Sequence, residues 1–368
     1  AGRGTEKDDR LFRKPHLNRD SDMSSNSKNP NGITILIATY NGASRIGETI
    51  AHIGAQEGTE EFGCELIVID NASRDDTAAV AETACAQLPE NIPFRILHQP
   101  VPGKNAALEM GYAEARYEYV LICDDDNFLA PDYLKTGFRI MEAIPLIGAL
   151  GGLGVAVFEE EAPPWCPDGY ACGPQGSRSG DISDITKGER CAVFGAGCIY
   201  RMSALDRLRE LGFENILSTR RGQKVDASGE DYELCHALAL AGYKIWYDER
   251  LVFRHLMPAS RMTVSKLLSL RRGDGVQDYV LRLYTKALRR RSMSNLYLVR
   301  FWVKSLYKAT IATVESNLKY LFKRNLKHRC QAACAKYRLL TVLDLPYCVR
   351  ASRKFMKFWR QLKANHYV

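Results

Sequence analysis

The chain of 368 residues is 46% hydrophobic and 26% charged, ordinary proportions for one large globular domain or a domain with an appendage. Its net charge of +8 conceals a split: residues 261–368 hold 25 Lys and Arg against 4 Asp and Glu, a balance of +21, which leaves −13 for the remainder. No run of 18 uncharged apolar residues occurs, so no spanning helix is expected, and 11 scattered cysteines without CxxC pairs point to reduced thiols in a cytoplasmic protein rather than to disulfides or zinc.

Residues 1–31 are polar, end in "SSNSKNPNG", and read as a disordered leader or tag, with Met23 a candidate native start. "ITILIATYN" (33–41) is a buried-strand run that ends in turn residues, and "GETIAHIGAQ" after it reads as helix. "CELIVIDNAS" (64–73) is a second strand of the same kind, followed by the acidic start and Ala-rich body of "DDTAAVAETACAQL". "FRILHQ" is a third strand, "GKNAALEMGYAEA" a helix and "YVLIC" a fourth strand. Continuous apolar strands alternating with helices predict an α/β fold with a mixed, mostly parallel sheet flanked by helices. Ligands of such sheets sit at the carboxyl ends of the strands, where Thr39, Tyr40, Asn41, Asp70, Asn71 and residues 124–127 fall.

The middle is less regular. Residues 159–184 are rich in Pro and Gly and too long for a simple turn, which suits a functional loop. "CAVFGAGCIYRMSAL" reads as a short strand, a Gly turn and a helix start. Residues 229–255 predict a helix that opens on acids and stops at Gly242, then two short strands. Beyond 260 the chain is helical and basic.

The triplet Asp124-Asp125-Asp126 can be a solvated helix cap, but it follows a buried strand and so reaches the ligand edge of the sheet. Like charges this close need a cation or a proton to neutralise them, and a hard divalent ion bridges carboxylates to a diphosphate. Strand geometry would turn Asp124 and Asp126 one way and Asp125 the other. Asp70 suits an Asx turn or a nucleobase contact; Lys104 suits a solvated helix start or a phosphate contact. Glu230 and Asp231 suit a helix dipole, or one of them is a general base. His255 ends an apolar strand and suits either a structural role or metal ligation.

In this order the motifs "ATYN", "VIDNASRDDT", "PGKNAALEMG", "CDDDN…PDYL", "FGAGCIYR" and "SGEDYELCHALALAGYKIWYDERLVFRH" make residues 33–255 resemble an inverting family 2 glycosyltransferase with the Rossmann-like GT-A fold. The resemblance implies a catalytic domain over 32–260 and a basic helical region over 261–368. It implies Asp231 as the base, Asp126 as the ligand of Mn2+ or Mg2+ with Asp124 in support, and His255 as a further metal ligand. It implies Asp125 at the donor, Asp70 reading the pyrimidine ring, Thr39 and Tyr40 lining the base and Lys104 near the nucleotide. The acceptor would meet Gly197, in the loop from Gly195, and Glu230. Arg271 and Arg272 bind diphosphate or an anionic acceptor, or are surface charge. Two departures stand out: Asn127 occupies a position often acidic in the family, and the Q-x-x-R-W signature of processive synthases is missing, "LLSLRRGDG" standing in its place. That favours one or few sugar additions.

The expected function is therefore metal-dependent transfer of a sugar from a UDP or dTDP type donor to a glycan or lipid-linked hydroxyl acceptor, in surface glycan or glycolipid synthesis. The alternatives are a nucleotidyltransferase of similar fold, disfavoured by the scattered glycines of "ATYNGASRIGE", and an inactive membrane-associated scaffold. In the basic region, Val299, Trp302, Val303, Leu306, Thr310, Val314, Leu318 and Leu321 recur near helical spacing, with Lys304, Lys308, Lys319 and Lys323 largely on another face. Such a helix either packs on the catalytic domain or lies on an anionic membrane surface, which would make the protein peripheral at the cytoplasmic face. No nucleic-acid module is recognisable.

Overall fold

The computed structural model describes residues 29–166, 172–218, 229–290 and 292–368. The leader up to residue 28, including Met23, and the centre of the 159–184 loop lie outside the described residues.

The first half alternates strand and helix as the apolar runs predict: β1 (Asn29–Thr39), α1 (Ile46–Gly54), β2 (Gly63–Asp70), α2 (Thr77–Cys85), β3 (Phe94–His98), α3 (Lys104–Glu114) and β4 (Tyr117–Ile122). There follow β5 (Asn127–Leu129), α4 (Tyr133–Ala143), β6 (Ile147–Phe158), β7 (Gly180–Asp181), β8 (Cys198–Arg201), α5 (Met202–Glu210), α6 (Glu230–Leu240) and β9 (Lys244–Met257). Among the described residues the strands form one sheet in the order β3-β2-β1-β4-β8-β6-β9-β5, with β7 beside β9. Strands β1 to β4 are parallel, as are β6 and β9, while β8, β5 and β7 run against their neighbours.

Alternation along each central strand fills two layers. Ile33, Ile35 and Ile37 of β1 pack with Ile46, Ile50 and Ile53 of α1, joined by Leu66 and Val68 of β2 and by Tyr119 and Leu121 of β4. Leu36, Ile67, Ile69, Val120 and Ile122 face the opposite layer with Ala107 and Tyr112 of α3. Burial on both faces is why these strands read as unbroken apolar runs. Residues 244–257 depart from the expectation of two short strands: β9 is one strand of 14 residues. Its register against β6 slips between Gly151 and Leu153, opposite Tyr247 and Val252. The polar "DER" in its middle is a bulge in which Arg250 forks onto the buried Asp248.

The basic region forms α7 (Val264–Arg290), α8 (Asn295–Lys323), α9 (Leu326–Leu343) and α10 (Leu345–Ala364). It shares a core with the sheet: Tyr279, Leu283, Phe355, Phe358 and Trp359 belong to the same buried cluster as Leu36 and Ile122. Phe358 meets Phe213 edge-on at 5.5 Å, and Tyr284 meets Phe355 at 5.0 Å. Each such buried ring is worth about 1.5–3 kcal/mol, so α7 and α10 stabilise the sheet domain rather than hang from it.

Candidate active site

The turn after β4 presents three carboxylates, and each meets a different cation. Asp125, 7% exposed, accepts from Arg45 Nε at 2.8 Å and Nη2 at 3.0 Å, and from Thr39 Oγ1 at 2.5 Å. Its carbonyl accepts from Thr49 Oγ1 of α1 at 2.9 Å. Gly42 is needed for this packing, because any Cβ there would collide with Thr39 Oγ1 and Asp125 Oδ2. Asp124 accepts from Lys104 Nζ at 2.6 Å. Although burial opposes its charge, that ammonium holds the Asp124 carboxyl below the usual range. Burial also opposes the charge on Lys104, but Asp124, with help from Glu230 and Asp231, raises its pKa. Asp126, 2% exposed, has Arg261 Nη1 at 3.0 Å from Oδ2 and His255 Nδ1 at 3.4 Å from Oδ1. Burial pushes its pKa up.

The position of Lys104 is built from β2. Asn71, just past that strand, donates to the carbonyls of Gln99 and Val101 and accepts from Gly103 N at 2.8 Å. This brings the first turn of α3 beside Asp124. Thr39 and Asp70 are register partners at the ends of β1 and β2. Asp70 accepts from Ser73 N at 3.1 Å and faces His98 Nδ1 at 3.2 Å. Tyr40 follows Thr39 on the same edge.

His255 stands opposite Asn127 where β9 pairs with β5, and its Nδ1 lies 2.6 Å from Asn127 Oδ1. With Nδ1 turned to Asn127 and Asp126, Nε2 is left toward Arg261 Nη1 at 3.5 Å. A histidine whose Nδ1 is held by an oxygen presents Nε2 as the lone-pair nitrogen. Asn127, where the family often has an acid, thus orients this ring.

Across the cavity, α6 opens on Glu230 and Asp231. Backbone amides hold Asp231: Gly195 N donates to Oδ2 and Tyr232 N to Oδ1, each at 2.9 Å. Burial first, then repulsion from Glu230, pushes its pKa up to about 6, against the opposing pull of the two amides and Lys104. A helix dipole is worth only about 0.3–1 kcal/mol to an acid in the first turn, so it does not reverse burial here. Lys104, Asp124, Glu230, Asp231, His255 and Arg261 line one cavity of about 1150 Å³. Its wall includes Phe194 and Tyr232, stacked at 6.2 Å.

Not every expected residue reaches this cavity. Gly197 is buried, donates to the Ile122 carbonyl at 2.8 Å and sits at φ +70 under Phe253 and Tyr133. Gly195 and Ala196 of the same loop line the cavity in its place. Arg271 lines it and pairs with Asp274 at 2.8 Å, whereas Arg272 lies over the Tyr337 ring, 5.8 Å from its centre. Thr39, Tyr40, Asp70, Asp125 and Asp126 lie at or just past the neighbouring strand ends rather than in the cavity wall. Arg45 and Arg261 were not singled out from the sequence. Arg45 is the sole Lys or Arg between Ile33 and Gly54, a signal that could have found it. Arg261 was visible only as the first charge of the basic region.

The donor set suits a hard divalent ion. Asp126 Oδ1 is buried and makes no hydrogen bond. Among the described residues no three His, Cys, Asp or Glu side chains converge as a ready cage. One or two carboxylates that leave the other positions to substrate phosphates are a usual arrangement for Mg2+.

Residues 34–209 match the family model described as Glycosyl transferase family 2. This segment is therefore a glycosyl transferase family 2 domain. Its relatives include the poly-beta-1,6-N-acetyl-D-glucosamine synthase of Staphylococcus epidermidis, 30% identical over 140 residues, or 37% of this chain and 32% of that protein. The synthase of the same name from Staphylococcus aureus strain COL is 31% identical over 146 residues, or 39% of this chain and 31% of that protein. The match therefore spans about a third of those synthases. Among solved structures, a mannosyltransferase from Pyrobaculum calidifontis in complex with GDP-Man and Mn2+ aligns over 86% of this chain and 88% of that one, with TM-score 0.54 and 17% identity. The family 2 domain thus has the GT-A fold.

Proposed function

We propose that this protein is an inverting, metal-dependent glycosyltransferase that moves a sugar from a UDP or dTDP type donor to a hydroxyl on a glycan or lipid-linked acceptor. The observation that carries the proposal is Asp231, a carboxylate raised to about 6 inside the cavity that Lys104 and Asp124 share. Near neutral pH it is ionised yet basic enough to take a proton, which is the tuning a general base needs. Polymer or glycan synthesis is the activity named for the staphylococcal relatives, and this supports a glycan setting. The missing Q-x-x-R-W element favours one or few additions.

In this reading the two amides fix the Asp231 oxygens, and one oxygen accepts the proton of the acceptor hydroxyl. The acceptor oxygen forms its bond to the anomeric carbon as the bond to the donor diphosphate breaks, with the electron pair leaving on the phosphate. One displacement inverts the centre. Lys104 meets the charge that grows on the diphosphate. Asp70 still has lone pairs for a pyrimidine N–H, since Ser73 N and His98 Nδ1 each take one site on a different oxygen. Phe194 and Tyr232 offer an aromatic wall to an acceptor sugar. One or two of Asp124, Asp126 and His255 would hold Mn2+ or Mg2+, with the remaining positions left to the donor phosphates, and the ion when bound would supply further stabilisation of the leaving diphosphate.

A thermal-shift panel tests this reading, with UDP, dTDP and GDP sugars and nucleoside triphosphates, each with Mn2+, Mg2+ or chelator. Stabilisation by a UDP or dTDP sugar that disappears with chelator is expected. Stabilisation by triphosphates alone would favour the nucleotidyltransferase reading, and no response from any nucleotide with either cation would overturn both.

A further inference from the structure

Helix α8 packs in an inverted manner. Its buried face is made of Phe301 and the small residues Ser305, Ala309 and Ser316. Small residues let it lie close to α9, to which Thr313 Oγ1 donates at the Ala335 carbonyl and Trp302 Nε1 at the Val342 carbonyl, both at 3.0 Å. The large apolar residues are left outside. Val299, Val303, Tyr307, Val314, Leu318 and Leu321 are each about half exposed or more, and Phe322 at the end is 81% exposed. At about 100° of turn per residue they fall on one side, opposite the packed one, along a helix of 29 residues and roughly 43 Å. Leu340, Leu343 and Leu345 at the α9–α10 corner are exposed as well, near the turn that Trp302 ties down.

A continuous apolar face of this length marks a docking surface. Charge selects the occupant. Lys304, Lys308 and Lys319 run exposed beside the stripe, and the one acid of α8, Glu315, already has Lys319 at 3.8 Å. A second copy of the chain would set one +21 region against another. An anionic bilayer complements both the stripe and the lysines. Among the described residues no helix is long and apolar enough to cross a membrane, so α8 would lie along the surface.

We propose that α8 is an interfacial helix, with the stripe from Val299 to Phe322 below the headgroups of an anionic bilayer and its lysines at headgroup level. The proposal needs neither donor nor acceptor, so it stands or falls apart from glycosyl transfer. Deleting the helix is a poor test, because α7 and α10 on either side of it share the catalytic core. Exposed point changes are better. The full chain is sedimented with vesicles of phosphatidylcholine alone and of equal parts phosphatidylcholine and phosphatidylglycerol, at low and high salt, and its mass in solution is measured. Expected are a monomer, binding to the mixed vesicles that salt weakens, and little binding to phosphatidylcholine alone. Val303→Ser with Leu318→Ser should lower binding by roughly tenfold or more with the melting temperature unchanged. Lys304→Gln with Lys308→Gln should lower it and flatten the salt dependence. No binding to mixed vesicles, equal binding by the Ser variant, or a dimer that the Ser variant disperses would each overturn the proposal.

Discussion

Two groups of acids face each other in this molecule, and they are held by opposite means. Asp124, Asp125 and Asp126 each have a cation: Lys104, Arg45 and Arg261. Asp231 is held by backbone amides, with Lys104 only a distant offset, and its pKa moves up to about 6. One residue type thus serves two ends. Beside Lys104 the Asp124 carboxyl resists protonation, whereas the amide-held, buried Asp231 is poised to accept a proton.

The largest break in this comparison is Asp231→Asn. It keeps the shape and removes the base, so kcat should fall by about 10³ with donor affinity within a few fold, measured by turnover and calorimetry. Near wild-type turnover would remove Asp231 from its role. Next is Asp126→Ala, for which Mn2+-dependent binding of the donor nucleotide should weaken by roughly 100-fold; unchanged calorimetry with and without Mn2+ would count against the metal assignment. Arg45→Met sharpens the contrast through stability. It strands Asp125, and a loss of about 2 kcal/mol is expected in chemical denaturation. The loss should shrink when Asp125→Asn is added.

The smallest effect belongs to Glu233, a further acid of α6. It is fully buried and accepts from the Ile216 and Leu217 amides, and burial pushes it up to about 7. A raised acid stabilises the fold below the unfolded value near 4.5 and loses that contribution as pH rises through about 7. Glu233→Gln should flatten this decline in melting curves taken on both sides of the window.

The strands were legible because burial on both sheet faces writes itself as continuous apolar runs. Strand β9 was not, since a bulge and a turn share polar composition and only the pairing with β6 tells them apart. The acids of the site were legible through motif order. Of their three cations only Lys104 was, because Arg45 and Arg261 find Asp125 and Asp126 through the fold, far away in the chain. Periodicity in α8 picked out apolar positions but not which face is covered. The small Ser305, Ala309 and Ser316 decide that by permitting close approach.

The central claim is that burial poises Asp231 as the base. The most direct test is the pH dependence of kcat/KM from about pH 4.5 to 8, at saturating cation and with the folded fraction monitored at each point. A single rise with its midpoint near 6 is the expected result. A profile that is flat across that midpoint, or one that falls as pH increases, would contradict it.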